Sequence, residues 1–187
     1  MSRYRRARIE GGTFFFTVTL VDRSSDILVR HINRLRNAYV SAQKRFPFET
    51  IAICVLPDHL RALWSLPPDD VDFPLRRNLI KSGFSRGLPA SANRSESKIS
   101  RREKGIWQRR YWEHAIRDDT DLARHIDYIH YNPVKHGHVT KVRNLAVILP
   151  ISGRTLWSNI AGIRCTDRGC VVFRASGAHR VSWCMSS

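Results

Sequence analysis

Acidic residues, cysteines and long apolar stretches are all scarce in this sequence, and each shortage excludes something. No run reaches the roughly 18–20 consecutive apolar residues that crossing a bilayer requires. The N-terminal Met1-Ser2-Arg3-Tyr4-Arg5-Arg6 has no apolar segment behind its charges, so neither a membrane partner nor a secretory signal is expected, and the expected location is cytoplasmic. The four cysteines, Cys54, Cys165, Cys170 and Cys184, are too few and too unevenly placed for a disulfide framework. Cys54 lies inside an apolar run and reads as a buried thiol. Cys165 and Cys170 with His179 and Cys184 do not match the short paired spacing of zinc ligands. Acid is the third shortage: 16 Asp and Glu stand against 32 Lys and Arg, a formal charge of +16 over 187 residues. Such an excess predicts a polyanionic partner.

What is present suits one compact domain with a tail, since 42% of the residues are hydrophobic and the length supports a single core. Gly11-Gly12 precedes a strand over Thr13–Val21, rich in aromatic and β-branched residues. From Ser25, the apolar residues Leu28, Ile32, Leu35, Tyr39 and Ala42 recur at steps of three and four, predicting one helix with Arg30, Arg34 and Arg36 turned away from the stripe. Ile51–Leu56 reads as a buried strand, and Pro57-Asp58 turns it into a second, His59–Leu66. Asp72 as N-cap and Pro74 in the first turn open a helix whose apolar face is Leu75, Leu79, Ile80 and Phe84, with Arg76, Arg77 and Lys81 keeping it positive. Gly87–Gly105 reads as a mobile basic loop, and Ile106–Ile116 as a fourth strand. Asp118, Asp119 and Thr120 offer N-cap chemistry for a last helix to about Tyr131, which Pro133 is expected to end. The order β, α, β, β, α, β, α predicts an α+β fold, a ferredoxin-like antiparallel sheet with helices on one face.

On the last helix Leu122, Ile126 and Ile129 form the apolar stripe, while His125, Tyr128 and Asn132 lie along its flank. A tyrosine hydroxyl can attack phosphorus when a metal or a base stabilises its oxyanion. The plain alternative is an amphipathic surface tyrosine. On the hairpin's second strand the period of two puts His59, Arg61 and Leu63 on one face and Leu60, Ala62 and Trp64 on the other. Arg61 cannot ligate a metal, because a guanidinium has no lone pair to give. His59 is either a ligand or a histidine satisfied by hydrogen bonds, and His130, His136 and His138 around the helix end are candidates for phosphate or metal contacts. Arg109, Arg110, Lys135 and Arg36 are candidate phosphate contacts. Trp107, Tyr111 and Trp112 serve either base stacking or core packing.

Taken together, Tyr4-Arg5-Arg6, Gly11–Val18, Leu56-Pro57-Asp58-His59, Gly105–His114 and Asp127–Gly137 resemble the REP-associated tyrosine transposases, and the resemblance covers most of positions 3 to 140. Their wider group is the HUH single-strand transposases, named for a His-hydrophobic-His strand. The resemblance implies an HUH nuclease-type core over residues 1–143. It also implies a DNA transposase, cutting and rejoining single strands through a phosphotyrosine intermediate. It makes Tyr128 the catalytic nucleophile, His59 a metal ligand and Asn132 the further ligand, with Mg or Mn as cofactor and no small-molecule cofactor. The implied DNA partner is single-stranded, or a hairpin from a repetitive extragenic palindrome.

Two departures qualify the expectation. Arg61 stands where the family pattern places a histidine, so weak or absent strand cleavage with DNA binding retained is expected. After about Lys141 the resemblance stops, and residues 144–187 read as a divergent tail left by a reading-frame shift, poorly ordered beyond Ile151 with Trp157 and Trp183 exposed or loosely packed. A rival reading is a catalytically inactive hairpin-binding protein. Another is an RNA-binding ferredoxin-like domain, although the Gly12-Thr13-Phe14-Phe15 strand lacks a basic-Gly-aromatic signature. Nothing in the composition separates a monomer from a homodimer.

Overall fold

Phe14, Phe15 and Phe16 are all buried yet point to different sides of one strand, and this alternation divides the molecule into two cores. The computed structural model describes residues 9–137 together with Val147–Ile148 and Val171–Arg174. Expectations resting on Tyr4-Arg5-Arg6, His138, Trp157, Cys165, Cys170, His179, Trp183 and Cys184 lie outside these residues. So does the tail's predicted disorder, apart from two short strands.

The elements are β1 (Thr13–Thr19), α1 (Ile27–Arg30), α2 (Ile32–Arg45), β2 (Glu49–Val55), β3 (His59–Ser65) and α3 (Phe73–Ser85). They continue with α4 (Glu96–Ser100), β4 (Trp112–Ala115), α5 (Asp119–Lys135), β5 (Val147–Ile148) and β6 (Val171–Arg174). The sheet order is β4-β1-β3-β2-β6-β5. Its first four strands pair antiparallel, the ferredoxin-like arrangement expected of two split β-α-β units. β6 adds antiparallel to β2, and β5 runs parallel to β6.

On one face Phe14, Phe16, Leu60, Ala62 and Trp64 meet Leu35, Tyr39 and Ala42 of α2 and Phe73, Ile80 and Phe84 of α3. Each fully buried Phe or Leu in this core contributes about 1.5–3 kcal/mol. The Trp64 indole N–H donates to Tyr39 Oη at 2.7 Å, and Tyr39 Oη lies 2.5 Å from Thr50 Oγ1, so the polar atoms carried inside are satisfied. α5 lies on the opposite face, where Ile129 is buried with Phe15, Ala52, Cys54, Leu56 and Leu63. The two crossover helices thus share one face as expected, and α5 covers the other. Cys54 is buried, as its place in an apolar run predicts.

Several local expectations are corrected. The helix predicted from Ser25 is interrupted at His31, which separates α1 from α2. The fourth strand is only Trp112–Ala115; Trp107 forms an isolated bridge with Leu20, and the segment between turns toward α3. Arg76 and Arg77 are buried rather than displayed. Arg76 is saturated by the carbonyls of Phe46, Pro47 and Asp72 and by both carboxylate oxygens of Asp70, so its charge ties α3 to the loop before β2. Lys81 donates to the Gln108 carbonyl at 2.9 Å, and burial pulls its pKa down to about 8. The 87–105 segment contains α4, and Lys104 pins it by donating to the carbonyls of Ser85, Arg86 and Leu88 at the end of α3, where a cation complements the helix dipole.

Candidate active site

α5 is built to hold its functional flank still. Asp118 accepts from the Asp121 N–H at 2.8 Å as N-cap, and Asp121 in turn accepts from the Arg117 N–H at 3.1 Å and pairs with His114 Nε2 of β4 at 2.7 Å. These contacts hold the Asp121 carboxyl down to about 2, the His114 hydrogen bond contributing most. His125 Nδ1 sits 2.8 Å from the Asp121 carbonyl oxygen. Among the described residues His114, Asp121 and His125 are a group close enough to hold an ion, with candidate atoms within 4.8 Å of one another. Their hydrogen bonds already close the group, and the two imidazoles stack at 4.7 Å and 14°, so their lone pairs do not converge on one point. The trio anchors α5 to the sheet edge.

At its other end α5 does not stop at Pro133. It continues to Lys135, with His136 as C-cap and Gly137 at φ +70° closing the last turn. A proline this near the end forfeits a single intrahelical hydrogen bond, and a glycine in the left-handed region is the usual helix terminator. The extension places Tyr128, Asn132 and His136 at successive steps of four, along one stripe of the helix.

That stripe faces β3. The Arg61 guanidinium lies 4.4 Å from the centre of the Tyr128 ring, and Lys135 Nζ lies 5.6 Å from it. His59 is 2% exposed and its ring centre is 5.1 Å from that of His136. Asp58 Oδ1 is 2.7 Å from His59 Nδ1, while Asp58 also pairs with Arg23. A carboxylate at Nδ1 fixes the proton there and leaves the Nε2 lone pair for a ligand. Burial is the largest influence on His59 and lowers its pKa, with Arg61 and His136 acting in the same direction against Asp58; the ring is neutral near pH 7. His59 Nε2 is buried without a hydrogen-bond partner, and so are both side-chain atoms of Asn132, which is 0% exposed. An imidazole nitrogen and an amide oxygen, buried and unspent, fit a divalent cation by donor chemistry. The Asp58 brace escaped sequence reading, although its place next to His59 was visible.

The candidate DNA contacts separate. Trp107 is 8% exposed and its indole N–H donates to Lys81 O and Ser85 Oγ, so a base-stacking role is excluded by burial. Tyr111 packs on Phe73 and has the Arg77 guanidinium 3.4 Å from its ring centre, leaving that face covered. Trp112 is 55% exposed. It pairs across Thr17 with Arg61 in one row of the sheet, on the α5 face. Arg109 binds Glu103 through Nε and Ser97 through both other nitrogens, and Arg110 is exposed beside it. Arg36 bonds Asn33 on α2, on the opposite face from Tyr128. Lys135 alone of the four cations borders the tyrosine.

No protein-family model matches the chain. A relative from Haemophilus influenzae named as a REP-associated tyrosine transposase is 49% identical over 145 residues, 77% of this chain and 82% of that protein. The REP-associated tyrosine transposase of Escherichia coli is 44% identical over 142 residues, 76% of this chain and 78% of its own length. A solved structure of a REP-associated tyrosine transposase bound to a REP hairpin superposes with a TM-score of 0.67 at 42% identity, covering 78% of this chain and 81% of that one. With the tyrosine stripe and the His59 strand facing each other as the motifs imply, the chain belongs to the REP-associated tyrosine transposases.

Proposed function

We propose that this chain acts on single-stranded or hairpin DNA of repetitive extragenic palindromes, cutting and rejoining one strand through a covalent phosphotyrosine. The observation carrying the proposal is that Tyr128 and the buried, unpartnered amide of Asn132 lie on one helical stripe facing the strand of His59. Tyr128 Oη attacks a backbone phosphorus and loses its proton; the new P–O bond forms as the old ester oxygen departs as a hydroxyl, and the reverse attack reseals a strand. His59 and Asn132 would hold a divalent cation, Mg or Mn, which when bound would supply Lewis-acid polarisation of the phosphate. Lys135 and Arg61 set positive charge beside the phenol ring, Asp58 keeps the His59 ring oriented, and Trp112 offers an open face to a neighbouring base.

Arg61 favours a second reading in which this copy binds hairpins without cutting them, because one imidazole of the family's strand pair is missing. Substitution Tyr128→Phe separates the two. Hairpin affinity persists under both, whereas a covalent protein–DNA adduct that vanishes with the hydroxyl belongs to the first alone. For the tail we propose that residues 144–187 arose by a reading-frame shift; the family's closing segment should appear in the alternative frame of the gene near codon 144, and its absence there would end the idea.

A further inference from the structure

We propose that His136 is a metal ligand of this chain, so that the divalent-cation site is formed by His59, Asn132 and His136 rather than by a pair of histidines on β3. The inference rests on the metal-dependent reading above and names a donor beyond the two ligands that the resemblance implies. Three observations carry it. Arg61 occupies the strand position from which a second imidazole would come, and a guanidinium cannot donate. The continuation of α5 through Pro133 to Lys135 puts His136 one turn beyond Asn132, and the His136 N–H donates to the Asn132 carbonyl at 3.1 Å, so the two side chains emerge on the same stripe. The His136 ring then meets the His59 ring at a centre-to-centre distance of 5.1 Å and 64° between planes.

This separation is informative. With metal–nitrogen bonds of about 2.1 Å, two imidazoles on one cation stand with ring centres roughly 5 Å apart and their planes free to cross. His59 Nε2 and the Asn132 amide oxygen are buried acceptors with no hydrogen-bond partner, a state that a bound cation would relieve. His136 is exposed, so a cation from solvent can reach its ring without passing through the core. The helix end therefore replaces what the strand has lost, with Tyr128 one turn before Asn132 on the same stripe.

Calorimetric titration of the full chain with manganese(II), together with pulsed electron paramagnetic resonance counting of nitrogens on the bound ion, tests this. The expected result is saturable binding with two coordinated imidazoles, reduced to one in His136→Ala with affinity lower on the order of tenfold or more. An exposed C-cap substitution leaves folding intact, and circular dichroism of the variant checks that. Unchanged affinity in His136→Ala, or a single imidazole on the wild-type ion, overturns the role of His136 while the reading of the site stands. Binding only after Arg61→His overturns it in the same way. If neither wild type nor Arg61→His binds manganese, the metal-dependent reading itself falls and takes the proposal with it.

Discussion

Arg61 concentrates the chemistry of this molecule in one side chain. It lies on the α5 face of β3, two residues from His59, and its guanidinium covers the Tyr128 ring at 4.4 Å. Replacing it with histidine adds a donor where the family pattern has one and removes a fixed charge from the phenol. Arg61→His is expected to raise manganese-dependent nicking of a single-stranded hairpin well above wild type, read on a denaturing gel; equal robust activity in the two proteins contradicts the assignment. Arg76 belongs to stability instead. With a side chain 1% exposed and every nitrogen bonded, Arg76→Ala leaves Asp70 and three carbonyls unpaired, and should lower the unfolding free energy by about 3 kcal/mol in urea titration. The sequence predicts a charged helix face at Arg76 and Arg77 because burial of arginine depends on carbonyls 29–30 residues away, which no local pattern displays. Tyr128, His59 and Asn132 could be named as candidates from the sequence because the motifs that carry the resemblance and the helical period are local. His136 stood among several histidines until the helix end was placed.

At the level of elements, α5 decides the site. Its apolar stripe was readable from period, and its start from Asp118, but its end was misread because Pro133 outweighed Lys135-His136-Gly137, a basic last turn followed by a terminating glycine. The helix is fastened at its start by Asp121. The folded-state pKa of that carboxyl, about 2, lies below its ordinary 3.8, so the anchor contributes its full stability above about pH 4 and loses it as pH falls from 3.8 toward 2. Unfolding midpoints measured across that range should drop steeply in wild type and less steeply in Asp121→Asn; identical acid limbs would show that the His114 contact contributes nothing. β4 illustrates the opposite failure. The run Ile106–Ile116 has strand composition throughout, yet Trp107 is drawn into the α3 core and only Trp112–Ala115 pairs fully with β1, since burial of a large indole outweighs a few ladder bonds.

Across the whole molecule the ferredoxin-like order was predictable from alternating elements, whereas the allocation of helices to the two faces came from which side of β1 each Phe occupies. That allocation puts α5, the helix of Tyr128, on the face opposite α2 and α3, with the exposed Trp112 beside it. No helix among the described residues is long and apolar enough to cross a membrane. The charge of +16 should make hairpin affinity fall steeply with salt, the logarithmic slope scaling as roughly 0.7 per neutralised phosphate on single strands. Lys135→Ala is expected to reduce that slope by about one contact. Arg109→Ala should alter it less, because the guanidinium is engaged by Glu103 and Ser97; a larger effect at Arg109 than at Lys135 would place the DNA on the other side of the sheet edge.

The most direct measurement is trapping of the covalent intermediate. Arg61→His protein incubated with manganese and a DNA hairpin carrying single-stranded flanks should yield a denaturant-resistant adduct mapped to Tyr128 by mass spectrometry, faint in wild type and absent in Tyr128→Phe. An adduct that survives Tyr128→Phe, or none in any of the three proteins while hairpin binding is retained, contradicts the account.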